Sequence, residues 1–155
     1  MEINVEQGKL AKALGVVSRV AAGSRTTLPI LNNVLIKALD GKVKLVTTNL
    51  DMAIVSYLGV ANSKDGEITV PARLLADFVS NLPKGEIKLT ASDSKLTVAS
   101  GKYKSSFNGA PAEDFPELPD INDAEAVIYR MSIESFKTGI NEVKIACSSD
   151  TTRPS

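Results

Sequence analysis

Histidine is absent from this chain of 155 residues, and cysteine occurs once. Without an imidazole, Ser-His-Asp and Cys-His nucleophile systems, histidine zinc sites and histidine acid–base chemistry are excluded. The lone Cys147 permits no internal disulfide, and its spacing from Val143 and Ile140 predicts a small apolar residue on the buried face of a helix. No run of eighteen apolar residues occurs, and the N-terminus MEINVEQGKL lacks the basic head and apolar stretch of a secretory signal. A soluble, cytoplasmic protein without membrane attachment is therefore expected. Neither G-x-x-x-x-G-K-[ST] nor G-x-G-x-x-G is present, and the ten glycines stand singly at turn positions rather than in a phosphate-cradling loop. No nucleotide, metal or other cofactor is expected. Carboxylates remain as possible catalysts, but Asp51, Asp77 and Asp114 fall in a turn, on a helix and in a linker, with no second carboxylate at catalytic spacing. The chain reads as one that binds rather than catalyses.

What is present is apolar content and segregated charge. Hydrophobic residues make up 43% of the chain, enough for one complete domain and part of another. The net charge is zero, yet Lys9, Lys12, Arg19, Arg25, Lys37, Lys42 and Lys44 stand against one acid, Asp40, between Gln7 and Thr47. From Pro111 to Glu134 the balance reverses, with seven acids against Arg130. One basic surface and one acidic surface are expected.

An internal repeat organises the chain. Glu2-Ile3-Asn4-Val5 overlies Glu67-Ile68-Thr69-Val70 at an offset of 65, which also sets Leu10 on Leu75, Ala11 on Ala76, Leu14 on Val79 and Val17 on Leu82. Each copy opens as a short alternating strand and continues as a helix with an apolar stripe: Leu10, Ala13, Leu14 and Val17, then Leu75, Phe78, Val79 and Leu82. Pro71 suits a first helical position, where a missing N–H costs nothing. Strands are then predicted at Val34–Leu39, Lys42–Thr48 and Met52–Val60, the first two joined by Asp40-Gly41, a two-residue hairpin signal. In the second copy they fall at Glu86–Ala91, Lys95–Ser100 and Lys102–Phe107. Both copies read β-α-β-β-β. A third copy opens after the acidic, proline-punctuated stretch Pro111–Asp120, which reads as a linker, with a strand at Ala126–Met131 and a helix capped by Ser132 and striped by Phe136, Ile140 and Val143. With no strands left to complete that unit, the chain reads as the N-terminal piece of a longer repetitive protein.

Seven segments in order carry a resemblance: Thr27-Leu28-Pro29-Ile30-Leu31-Asn32-Asn33, Thr48-Asn49-Leu50-Asp51-Met52, Val70-Pro71-Ala72-Arg73, Leu82-Pro83-Lys84-Gly85, Ser100-Gly101-Lys102, Pro111-Ala112-Glu113-Asp114-Phe115-Pro116 and Asp150-Thr151-Thr152-Arg153-Pro154. Together they resemble the bacterial sliding clamps, the β subunits of DNA polymerase III. The resemblance implies an α+β DNA clamp fold, in which repeated β-α-β-β-β units pack two helices on curved antiparallel sheets. It implies a first domain over residues 1–120, and a linker with the start of a second domain over 121–155. It also implies a homodimeric ring around double-stranded DNA, a processivity factor that serves DNA polymerase III and its clamp loader and is not itself an enzyme.

The resemblance also distributes roles. Lys9, Lys12, Val16 and Arg19 follow helical spacing opposite Leu10, Leu14 and Val17, and the resemblance places such a face in the ring's pore; an ordinary solvated face is the alternative. Arg25, in a loop of small polar residues, and Arg73, near a helix N-terminus where the dipole gives a cation nothing, resemble clamp arginines that touch DNA. Lys102, Lys104 and Phe107 resemble the strand that pairs with another subunit, with Leu74 assigned to the same interface, although Ser105 is small where some clamps are bulky. The lysines there also have a simpler reading, as charges that deter unwanted edge pairing. Arg153 and Pro154 resemble part of the cleft that receives partner peptides. The principal alternative for the whole chain is a β-rich adaptor that never meets DNA.

Overall fold

The structure, a computed structural model, describes residues 1–21, 28–60, 62–118 and 129–147. It divides into a unit Met1–Leu118 and a unit Pro119–Ser155.

Alternation of apolar residues makes the first unit's strands. They are β1 (Glu2–Glu6), β2 (Asn33–Leu39), β3 (Lys42–Thr48), β4 (Ala53–Gly59), β5 (Asn62–Lys64), β6 (Gly66–Pro71), β7 (Glu86–Ser92), β8 (Lys95–Ser100) and β9 (Tyr103–Asn108). Two helices interrupt them, α1 (Gln7–Ala21) after β1 and α2 (Ala72–Ser80) after β6. The β-α-β-β-β order expected of each half is present, with the short β5 added between the halves. The Asp40-Gly41 hairpin holds both residues at positive φ, 49° and 73°, the conformation whose twist matches the flanking strands and which glycine adopts without cost.

The halves do not each build a sheet of their own. One sheet runs β5-β1-β7-β8-β9 and the other β4-β3-β2-β6, so the opening strand of each half joins the three closing strands of the other. The pairing is the same in both. Ile3 opposes Leu89 and Val5 opposes Ile87, while their counterparts Ile68 and Val70 oppose Ile36 and Val34. Val43 opposes Leu58 as Leu96 opposes Phe107. Strands β2 and β3 thus map onto β7 and β8 at an offset of 53, and β4 onto β9 at 49. The same exchange closes the edges: β5 pairs with β1, and on the other side Ala110 bridges Thr69 in β6.

Helices α1 and α2 pack on each other and on the strands. Leu10, Leu14 and Val17 share one buried cluster with Leu75, Val79, Val34, Ile36, Ile68, Ile87, Leu89 and Val98. The Gln7 side chain, buried where α1 begins, donates to the Val79 carbonyl oxygen at 2.9 Å, and its backbone N–H donates to the Gly85 carbonyl oxygen at 2.8 Å. These bonds satisfy polar groups that would otherwise be costly to bury and tie the start of α1 to the end of α2. On the far face of the second sheet, a 3-10 turn at Pro29–Asn32 packs on β2 and β3, and Leu31 and Val46 are buried there.

Three expectations are corrected. The stretch after Pro111 is not a linker throughout: Ala110 pairs with Thr69, Ala112–Asp114 form a 3-10 turn and Phe115 is buried, so residues to Leu118 belong to the first unit. Prolines and acids dominate its composition, but one buried aromatic anchors it. In the second unit, α3 (Ile133–Val143) forms as expected, and the Ser135 N–H donates to the Ser132 side chain at 3.1 Å. Tyr129–Met131, however, form no strand, and 126–128 lie outside the described residues. Cys147 is exposed beyond a 3-10 turn at Lys144–Ala146, rather than on the buried face of a helix. The helical period on which its burial depended has ended by then.

Candidate nucleic-acid interface

Helix α1 separates its residues cleanly. Leu10, Ala13, Leu14, Val17, Val20 and Ala21 are buried, whereas Lys9, Lys12, Val16 and Arg19 are exposed along the opposite face. Lys9 ion-pairs with Glu6 one turn earlier at 3.5 Å, and both side chains are largely solvated. Among the described residues Lys12 and Arg19 have no carboxylate partner. Arg19 also stands in the last turn, where a cation complements the helix dipole. That is a structural reason for Arg19 which does not extend to Lys12, at mid-helix. Arg73 is exposed in the first turn of α2. Arg25, Arg153 and Pro154 lie outside the described residues.

The residues expected at a subunit contact fall around one edge. Strand β9 is the last strand of its sheet and, among the described residues, pairs only with β8. Phe107 turns inward from it and meets Phe78 of α2 edge-on, ring centroids 5.6 Å apart and planes at 66°. Leu74, one helical turn before Phe78, is 61% exposed. Lys104 is exposed on β9, and Lys102 lies in the preceding turn with its ammonium 5.5 Å from the centre of the Tyr103 ring. The arrangement offers an open strand edge beside a small apolar patch.

A family profile decides what this domain is: the N-terminal domain of the DNA polymerase III beta subunit matches residues 1–119. The chain belongs to the DNA polymerase III β subunit family. It is 34% identical to the beta sliding clamp of Synechocystis sp. over 164 residues, covering 99% of this chain and 41% of that protein. Against the beta sliding clamp of Escherichia coli K12 it is 38% identical over 122 residues, covering 77% of this chain and 33% of that one. The solved structure of Caulobacter crescentus pol III beta superposes with a TM-score of 0.89 at 30% identity, over 99% of this chain and 41% of that chain. The chain thus spans a third to two fifths of the length of these clamp relatives. The α+β clamp fold that the resemblance implies is the fold found.

The solvent face of α1 is not the only place where charges gather on the surface. On the outer face of the β5-β1-β7-β8-β9 sheet, Glu2 on β1 accepts from Lys64 at 3.0 Å and also from Lys88. The Lys88 ammonium, then that of Lys64, holds the Glu2 carboxyl down from 4.5 to about 2. On the outer face of the other sheet Leu39 and Tyr57 stand exposed among lysines. Strand alternation carries the signal for these two, because a large apolar residue on the solvent side of a half-buried strand breaks the pattern.

Proposed function

We propose that this chain supplies the first domain of a sliding clamp, a non-catalytic ring of two subunits that encircles duplex DNA in the cytoplasm and tethers DNA polymerase III to it. The observation that carries the proposal is the solvent face of α1. The helix commits one face wholly to the core and presents Lys12 and Arg19, without carboxylate partners among the described residues, on the other. In a ring held by topology, a few weak phosphate contacts suffice, and they must ignore sequence if the ring is to slide. Lys9, Lys12, Arg19, Arg25 and Arg73 are the proposed contacts. Phe107, Lys102, Lys104 and Leu74 are the proposed subunit interface, formed at the open edge of β9. Arg153 and Pro154 are proposed to receive peptides of the polymerase and the clamp loader.

The test uses the ring-forming protein that carries this sequence, loaded onto circular and linearised DNA at matched salt. Retention on circles and rapid loss from linear ends is the expected result; equal retention on both removes the topological mechanism. Alanine at Arg25 and Arg73 together should shorten retention on circles and lower the salt dependence, equally for all DNA sequences. Unchanged retention removes these two arginines from the interface while leaving the ring intact.

A further inference from the structure

The internal repeat supplies its own control, because it sets the same backbone twice under different side chains. On the outer face of the β2–β3–β4 sheet, a groove of about 380 Å³ is lined by Lys37, Leu39, Asp40, Lys42, Lys44 and Tyr57. The register aligns Lys37, Lys44 and Tyr57 across three strands, and the intervening Ala38, Val43 and Leu45 point into the core. Leu39 is 51% exposed and Tyr57 is 67% exposed. The matching groove on the other sheet, about 480 Å³, is lined at the corresponding positions by Thr90, Ser92, Asp93, Lys95 and Thr97. There the counterparts of Lys44 and Tyr57, Thr97 and Ser106, hydrogen-bond each other at 3.2 Å. Small hydroxyl residues therefore satisfy this scaffold. The folding of the sheet does not require Leu39, Lys44 or Tyr57 on the solvent side.

We propose that the Leu39–Tyr57 groove is a docking site for an extended acidic peptide carrying an apolar side chain. The floor supplies apolar surface and an aromatic ring, the commonest anchor for a protein partner. The rim supplies charge: three lysines line the groove against one acid, Asp40. Lys37 is engaged by Glu67 at 2.9 Å, and Lys42 and Lys44 have no carboxylate partner among the described residues. Carboxylates flanking an apolar residue complement that rim and gain on-rate and orientation from it. Single-stranded nucleic acid is the poorer fit. It stacks successive bases on successive aromatic side chains, and this groove offers one ring beside an aliphatic leucine and an acid. Docking at this groove is independent of whether the chain encircles DNA.

The test is a set of amidated decapeptides, each with a Leu-Phe pair flanked on either side by four Asp or Glu, titrated against the full 155-residue chain by amide-shift NMR and fluorescence anisotropy. A charge-reversed set with lysine flanks and a ten-residue thymidine oligonucleotide are run alongside. Members of the acidic set should shift residues 37–44 and 57, bind at least tenfold more tightly than their lysine counterparts, and weaken as salt rises. Tyr57→Ser and Lys44→Thr install what the second half carries at the same positions, so both should fold and lose binding at least tenfold. Grafting Ser92→Leu, Thr97→Lys and Ser106→Tyr onto the other sheet should create a second site. The proposal is overturned if acidic and lysine sets bind alike, if no acidic peptide binds, if the variants bind as the parent does, or if the oligonucleotide is the preferred ligand.

Discussion

Gly109 lies so close to β6 that a Cβ on it would collide with the Thr69 carbonyl oxygen. The next residue, Ala110, exchanges backbone hydrogen bonds with Thr69 in both directions, at 3.0 and 3.2 Å, and the Thr69 hydroxyl adds a third at 2.9 Å. Residue 109 is therefore where the chain leaving β9 crosses onto the other sheet. Gly109→Ala should force the two backbones apart and cost about 1–3 kcal/mol, as overpacking does. Urea melts of residues 1–118 would show it as a lower midpoint with an unchanged slope.

Leu10 and Leu75 occupy equivalent positions of the repeat and lie in one cluster. Each truncation to alanine should cost about 2–5 kcal/mol. Because the two helices pack on each other, the double variant should depart from additivity by at least about 0.5 kcal/mol in a thermodynamic cycle. Additivity within error would mean that these two side chains are not coupled through the packing of α1 on α2.

Leu50 stands at φ 77°, a left-handed conformation unfavourable for a leucine, with its side chain 61% exposed. The loop holds it there: the Thr48 hydroxyl accepts from the Leu50 N–H at 3.1 Å, and the Asn49 side chain accepts from Asp51 and Met52 at 3.1 and 2.9 Å. Leu50→Asn should raise stability by roughly 0.5–1 kcal/mol, since asparagine tolerates this region. A loss of stability would show that the leucine side chain contributes packing that its exposure conceals.

Glu2 contributes to stability in a defined pH window. Its carboxyl is held at about 2 in the folded chain by Lys88 and Lys64, against an ordinary 4.5. The folded state therefore binds this proton less readily, and the contribution is fully present above about pH 4.5 and is lost as pH falls toward 2. Its size is small, because the Glu2 side chain is 31% exposed and both lysines are more exposed still. The stability gap between the parent and Glu2→Gln should close across that window, and the Glu2 carboxyl resonance should titrate near its lower end.

Lys12→Ala and Arg19→Ala remove exposed side chains from the far side of α1, so each should change stability by no more than about 0.5 kcal/mol. Arg19→Ala should cost more of the two, having a helix end to complement. If these side chains are phosphate contacts, as proposed, removing either should reduce the salt slope of retention in the ring-forming protein by about 0.9. A large fall in melting temperature with Lys12→Ala would contradict its placement on the solvent face.

Much of this is legible in the chain because it rests on local pattern. The helical stripes at Leu10–Val17 and Leu75–Val79, the Asp40-Gly41 turn and the Ser132 cap are each decided within a few residues. Outward placement of Lys9, Lys12 and Arg19 follows from the same period, once the apolar face is known. The burial of Phe115 is not legible because nothing periodic surrounds it, nor is β5, because three residues carry too little pattern to mark a strand.

The sequence by itself determined the repeat, the type and order of its elements, and which face of each strand and helix is apolar. Only the tertiary structure decided which strands are neighbours. Ile3 could oppose any apolar strand of the right alternation, and its pairing with Leu89 of the other half, rather than with β2 which follows it, is set by the shared core. Backbone hydrogen bonding is indifferent to side-chain identity, so a period of two specifies a face but not a partner. Burying α1 and α2 together against both sheets selects the exchanged arrangement. That arrangement leaves β9 as an open edge and leaves Leu39 and Tyr57 in a groove facing solvent.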